Sequence, residues 1–367
     1  MPNKTILIAA GGTGGHLYPA LAVAEEIRRE RPDINIIFIG TRDRIEAKEV
    51  PRAGFPFMPI DIHAQRKSVS SLLTFPWKFA SALIDCMRLI AKERPSAMLG
   101  AGAYLSVPVG IAAWAFRVPT ALLEINSIPG SANTLLSRMA DKLFLAYPEA
   151  AVKFPKRISR TATVSGTPVR AGLGRQIISR EEARQSFGLD ASRTTVLVFG
   201  GSLGARAINE AMRECAGTLA ERGYNVLWQT GRSANVVELQ NQFANIPNVR
   251  VIDYIYDMER AYRAADLVVC RAGASSLAEL VHLGKPAILI PYPFAAADHQ
   301  EHNARSFERD GTAVVLRDSQ LKTMLAQTIF ALLGEPERLI AMSKAMKQRD
   351  NPNAAKLVAE WLIAATR

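Results

Sequence analysis

Cysteine is scarce in this chain: Cys86, Cys215 and Cys270 stand alone among 367 residues, with no Cys-x-x-Cys spacing. An odd, scattered set argues against a disulfide framework or a zinc lattice and for a reducing compartment. No apolar leader with a cleavage site is expected. Met1-Pro2-Asn3-Lys4 runs straight into Thr5–Ala10, too short for a secretory core and suited to a first strand, so the chain is expected to stay in the cytoplasm. One run, Met98–Phe116, lacks charge for almost the length of a membrane span. Gly100, Gly102, Pro108 and Gly110 interrupt it, so it reads as a strand end, a glycine turn and a buried helix from about Pro108. No zinc-finger, RNP-like or helix-turn-helix pattern occurs, which argues against a nucleic-acid partner.

What is present is an ordinary globular composition, 49% hydrophobic and 22% charged, on a chain longer than one core fills. Two domains are therefore expected. The net charge of +11 favours anionic partners: nucleic acid, phosphorylated metabolites or an acidic lipid surface. Strand-like runs alternate with helical ones. The first half offers Thr5–Ala10, Ile34–Gly40, Ala97–Leu99, Thr120–Leu123 and Lys142–Ala146. The second offers Thr194–Phe199, Asn225–Thr230, Val249–Ile252, Leu267–Val269, Ala287–Ile290 and Ala313–Val315. Such alternation predicts an α/β fold of parallel sheets with crossover helices. The halves echo each other, each opening with an apolar strand that runs into glycines and then a helix. Two Rossmann-like domains follow, the second from about Gly166-Thr167-Pro168, with ligand expected in a cleft at the carboxyl ends of the strands.

The two glycine loops are Gly11-Gly12-Thr13-Gly14-Gly15 and Gly200-Gly201-Ser202-Leu203-Gly204. Glycines between strand and helix let the backbone approach a phosphate that the helix start favours; a tight turn without ligand would use the same residues. Neither loop fits G-x-G-x-x-G, and Phe38-Ile39-Gly40-Thr41 places no acid for a ribose, which argues against a dehydrogenase. No Walker lysine follows either loop, so this is not a P-loop ATPase. His16, directly after the first loop, is placed to take a proton from an attacking hydroxyl; capping or packing is the commoner fate of a lone histidine.

Gly11–His16 and Gly200–Arg206 resemble the MurG family of UDP-N-acetylglucosamine transferases. Further matches follow in order along nearly the whole chain: Gly102-Ala103-Tyr104, Glu124-Ile125-Asn126, Gly166–Arg170, Cys270–Ala274, Glu279, and Asp298-His299-Gln300 with Asn303-Ala304. The resemblance implies a GT-B-type fold of two Rossmann-like domains facing a cleft. Residues 1–165, rejoined by a helix over 351–367, would take the acceptor and face the membrane, and 166–350 would hold the UDP-sugar. It implies that Ser202 meets the diphosphate, Glu279 the ribose, the Ile255 backbone the uracil, and that Arg170 lies at the nucleotide. Ala274, Ser275, Ser276, Leu277, Ala278 and Gln300 would line the donor site, Ala274 and Gln300 reading the sugar hydroxyls. Thr13, Gly14, Gly15 and Asn126 would approach the sugar from the first domain, with Tyr104 on the acceptor side. Leu123 and Ile125 stand where the family has histidine and glutamine, and Ala101-Gly102-Ala103-Tyr104 replaces Phe-Gly-Gly-Tyr.

The implied reaction is attack of a muramyl hydroxyl, on undecaprenyl-diphospho-N-acetylmuramoyl-pentapeptide, at the anomeric carbon of UDP-N-acetylglucosamine with inversion. His16 is the candidate base and Glu124 the runner-up. No metal and no cofactor are expected. Asp298-His299-x-x-His302 lacks a distant third ligand, and Glu279 outside its motif would read as a first-turn acid. Leu72, Leu73, Phe75, Trp77 and Phe79, with Arg66, Lys67 and Lys78 nearby, suit contact with an anionic membrane, giving peripheral attachment to the cytoplasmic face. Phe79, Leu83 and Met87 also fit the inner face of a helix. A related enzyme with another lipid acceptor, such as a diacylglycerol glycosyltransferase, a UDP-N-acetylglucosamine epimerase and an inactive nucleotide-sugar sensor are the alternatives.

Overall fold

The computed structural model describes residues 4–62, 69–170, 172–174, 178–232 and 234–366, with the backbone alone over 69–75. The chain divides into two compact units, one of Met1–Ala171 with Asn351–Arg367, the other of Gly172–Asp350. The division falls slightly beyond the turn cluster at Gly166-Thr167-Pro168.

The first unit holds seven strands: β1 (Thr5–Ala9), β2 (Asn35–Thr41), β3 (Phe57–Ile60), β4 (Ala97–Gly100), β5 (Thr120–Glu124), β6 (Lys142–Leu145) and β7 (Thr163–Val164). They lie in the order β3-β2-β1-β4-β5-β6-β7, each pair parallel. Ile6 and Ile8 of β1 pair with Ile36 and Phe38 on one side and with Ala97 and Leu99 on the other. All five β1 residues are buried, which is why the run reads as continuously apolar rather than alternating. Helix Ala354–Ala364 packs on helix Gly14–Glu30 and completes this unit.

The second unit holds β8 (Thr195–Phe199), β9 (Asn225–Gln229), β10 (Val249–Ile252), β11 (Leu267–Arg271), β12 (Ala287–Ile290) and β13 (Ala313–Val315). Their order is β10-β9-β8-β11-β12-β13, again all parallel. Helix Arg206–Glu221 turns Ile208, Met212, Cys215 and Leu219 inward at helical spacing. They pack with Val196, Val198 and Trp228 of the sheet, each large apolar side chain contributing about 1.5–3 kcal/mol by its burial.

In each sheet the strand order reverses beside the first strand, between β1 and β4 and between β8 and β11. Ligands of open α/β sheets bind outside the carboxyl ends of the strands at such a point. Both glycine loops leave their strands there. The uncharged run at Met98–Phe116 resolves into β4, a turn and helix Ser106–Ala115, the reading its glycines and proline dictated. No helix of the described residues is long and apolar enough to cross a membrane.

Candidate active site

In the first unit, helix Gly14–Glu30 starts without a side-chain cap at Thr13 and without an acid in its first turn. His16 lies in that turn, half-buried, and its Nδ1 is 2.7 Å from the carbonyl oxygen of Ala101, just beyond β4. A carbonyl only accepts, so Nδ1 carries the proton and donates. The neutral imidazole then bears its lone pair on Nε2, the form a general base requires. Gly102 lets the β4 loop come this close: a Cβ there would sit 3.1 Å from His16 Cε1 and 3.1 Å from Asn133 Nδ2.

Glu124 ends β5 and is 1% exposed. Its Oε1 accepts from the Asn126 amide (3.0 Å) and Asn126 Nδ2 (3.3 Å), and its Oε2 from the Gly130 amide and Asn133 Nδ2, both at 3.0 Å. Burial pushes its pKa up, opposed by the hydrogen bonds from Asn133, Gly130 and Asn126. With four donors around it, this carboxylate braces the loop after β5, and Asn126, itself buried, is part of the brace. That arrangement favours His16 over Glu124 as the group that meets a substrate hydroxyl.

In the second unit the loop after β8 is tighter. Gly204, at φ 84°, packs so closely on β9's end that a Cβ would lie 2.0 Å from the Thr230 oxygen. The Gly201 carbonyl accepts from the Gly204 amide (3.0 Å) and from Gln229 Nε2 (3.1 Å). Gln229 Oε1 in turn accepts from the Ile255 amide at 2.9 Å. One buried side chain thus ties the loop to Ile255. Ser202 stands exposed at the loop's tip, and helix Arg206–Glu221 begins with no side-chain cap and no first-turn acid. A loop whose carbonyl is satisfied internally, before an uncapped helix, suits a diphosphate.

Helix Ala274–Leu283 leaves β11 in the same way, uncapped at Gly273 and without a first-turn acid. It carries Ala274, Ser275, Ser276, Leu277, Ala278 and Glu279. Glu279 Oε2 accepts from the hydroxyl of fully buried Tyr262 at 2.8 Å. After β12 the chain passes through Ala297 and Asp298, both with φ of 50°, a conformation costly for non-glycine residues and concentrated at functional loops. Gln300 follows, and its Oε1 accepts from the Tyr292 amide at 3.0 Å. Arg271, buried at the end of β11, forms a bidentate pair with Asp318 and donates to the Ile290 and Pro291 carbonyls, fixing the start of this loop.

The remaining expectations fall as follows. Arg170 stacks over Tyr18 within the first unit, 4.9 Å from the ring centre. The Tyr104 hydroxyl donates to the Ile62 carbonyl and its ring packs on the first unit's core. The Ile255 amide is bonded to Gln229 Oε1. His299 Nδ1 lies 2.7 Å from the Ala296 carbonyl, and no cluster of three metal-ligating side chains occurs among the described residues. Trp77 is 80% exposed, whereas Phe79 packs on the core, so the two aromatics lie on opposite sides of helix Val69–Glu93. The side chains of Leu72, Leu73 and Phe75 lie outside the described residues. Gln229 and Tyr262 were missed from sequence, and Arg271 stood out only within the Cys270–Ala274 match. The available signal was a polar residue closing an otherwise apolar strand, as in Asn225-Val226-Leu227-Trp228-Gln229.

Comparison with known proteins matches residues 6–145 to the N-terminal domain of glycosyltransferase family 28 and residues 195–358 to its C-terminal domain. The UDP-N-acetylglucosamine–N-acetylmuramyl-(pentapeptide) pyrophosphoryl-undecaprenol N-acetylglucosamine transferase of Salinibacter ruber is 41% identical over 98% of this chain and 96% of its own length. The crystal structure of Acinetobacter baumannii MurG superposes with a TM-score of 0.76 at 28% identity, covering 98% of this chain and 99% of the other. A UDP-GlcNAc 2-epimerase from Neisseria meningitidis shares the fold alone, at 14% identity and a TM-score of 0.69, over 98% of this chain and all of the other. With both domain models matched in order and a relative aligned across nearly the full length, the chain belongs to glycosyltransferase family 28 and, within it, to the MurG family.

Proposed function

We propose that this enzyme transfers N-acetylglucosamine from UDP-N-acetylglucosamine to the muramyl sugar of undecaprenyl-diphospho-N-acetylmuramoyl-pentapeptide, with inversion. The observation that carries the reading is the full-length identity of 41% to a transferase named for that reaction. The second unit holds the donor. The Ser202 loop and the uncapped helix start receive the diphosphate, Glu279 the ribose hydroxyls, the Ile255 carbonyl the uracil, and Gln300 and Ala274 the sugar. In the first unit, Nε2 of His16 takes the proton of the attacking hydroxyl as the bond to the anomeric carbon forms. UDP departs as an anion whose charge the loop amides and helix dipole offset, which is how preorganised dipoles lower such a barrier. No cofactor enters this scheme.

The lipid acceptor calls for a membrane surface. On helix Val69–Glu93, Trp77, Ile84 (48%) and Met87 (37%) are exposed, while Ala82, Cys86, Leu89 and Ile90 are buried. Trp114 (58%) and Phe116 (44%) lie at the end of the helix packed beside it. With Lys78, Arg88 and Lys92 exposed on the first of these helices, this face suits peripheral binding to anionic lipid on the cytoplasmic side.

The test is incubation of the purified protein with UDP-N-acetylglucosamine and a lipid-linked muramyl-pentapeptide in mixed micelles. Acceptor-dependent release of UDP with formation of the disaccharide is expected. Epimer formation without acceptor, or no transfer, would overturn the reading.

A further inference from the structure

Glu46 lies beneath the first glycine loop, and the transfer scheme gives it no role. It opens helix Glu46–Arg52, just after β2, and is fully buried. Its Oε1 accepts from the Thr41 amide (3.0 Å) and hydroxyl (2.6 Å), and its Oε2 accepts from the Gly12 amide at 3.0 Å. It meets no cation among the described residues, and a carboxylate buried that way is expensive. The neighbouring chain is shaped to admit it. A Cβ on Gly11 would fall 2.3 Å from Oε1, and one on Gly40 2.6 Å from Glu46 Cγ. Three polar hydrogens converge on one group, so the position requires acceptor oxygens on both sides.

The residue held this way is next to the one that starts the His16 helix. Gly12 precedes Thr13, whose carbonyl accepts from the His16 amide (3.3 Å) and the Leu17 amide (3.2 Å). On the other side, the His16 ring is held by Ala101. The second unit braces its matching loop in the opposite sense, with Gln229 donating to a loop carbonyl instead of accepting from a loop amide.

We propose that Glu46 is a positioning residue for the transfer step. Its carboxylate clamps the Gly12 amide and so fixes the first turn from which His16 reaches the acceptor hydroxyl. This rests on the reading of His16 as the base. The clamp acts on the acceptor half of the reaction and not on donor binding.

Glu46→Gln isolates the clamp, because the amide oxygen still serves Thr41 while Nε2–H faces the Gly12 N–H. Four quantities decide: kcat, the Kd for UDP, thermal unfolding, and kcat of the same substitution in a His16→Ala background. Glu46→Gln is expected to lower kcat about tenfold, with the UDP Kd within about twofold and cooperative unfolding retained. Hydrogen exchange at the Gly12 amide should quicken. In the His16→Ala background the further loss should be less than about twofold, since both changes act on one step. Wild-type kcat in Glu46→Gln, or an equal loss in both backgrounds, overturns the proposal. So does a variant that fails to fold or to bind UDP, because Glu46 would then hold the fold and not the loop. Absence of transfer by the unaltered protein sinks the transferase reading itself, and His16→Ala alone retaining full kcat removes the base and with it the route through Glu46.

Discussion

The hydroxyl of Tyr262 donates a 2.8 Å hydrogen bond to Oε2 of Glu279, holding the carboxylate at one rotamer beside the uncapped start of its helix. Tyr262→Phe removes that donor and keeps the ring, which packs edge-on against Phe199 at 6.0 Å. UDP affinity should fall about three- to tenfold in Tyr262→Phe, the worth of one oriented hydrogen bond. It should fall further in Glu279→Ala. Titration calorimetry with UDP reads both, and an unchanged Kd in Glu279→Ala would take the carboxylate off the ribose.

Gln229 gives a prediction of opposite chemistry to the Glu46 clamp. Gln229→Glu replaces the donor to the Gly201 carbonyl with an acceptor and places negative charge under the Gly200–Gly204 loop, which we propose receives the diphosphate. UDP binding should drop by at least about tenfold and recover in part as the pH is lowered and the new carboxyl takes up a proton. Binding that ignores pH would show that the loop does not hold the diphosphate.

The exposed face of helix Val69–Glu93 separates from its core face by mutation. Trp77→Ser with Ile84→Ser should weaken co-sedimentation with anionic vesicles and leave the melting temperature near wild type. Phe79→Ser should do the reverse, lowering stability by about 2–4 kcal/mol through lost packing and a buried hydroxyl. Vesicle binding undiminished by the double change would place the lipid contact elsewhere.

All three thiols are buried. Burial pushes Cys86 up to about 12 and Cys215 to about 11, and it raises Cys270 further still with help from the Glu279 charge. For each, the folded value exceeds the unfolded one near 9, so the unfolded chain loses its proton first. Their stabilising contribution is complete below about pH 9 and is lost as pH rises toward 11–12. Denaturant midpoints should decline across that window, less steeply in Cys215→Ala, and a thiol reagent at pH 8 should label the protein only once it unfolds.

Strand runs announced themselves across both sheets: β12, buried throughout, and β10 and β13, the edges of the second sheet, have the bounds their sequences imply, and the other expected strands shift by a residue or two. The strands that escaped are the two edges of the first sheet. Phe57-Met58-Pro59-Ile60 is short and carries a proline, which only an edge tolerates, and β7 has two residues. The glycine loops and His16 were legible because close backbone approach demands glycine in a local run. Glu46, Gln229 and Asn133 were not, because each acts through partners brought near by the fold. An isolated acid or amide in sequence carries no sign of the amides it will meet.

Helix Ala354–Ala364 closes the first unit against helix Gly14–Glu30, which carries His16 in its first turn. During synthesis the ribosome therefore completes residues 172–350 before the cover for residues 14–30 exists. The second unit can finish folding as one continuous stretch of chain. The unit carrying His16 must keep the buried face of its first helix waiting for Val358, Ala359, Leu362 and Ile363, the residues that finally seal it.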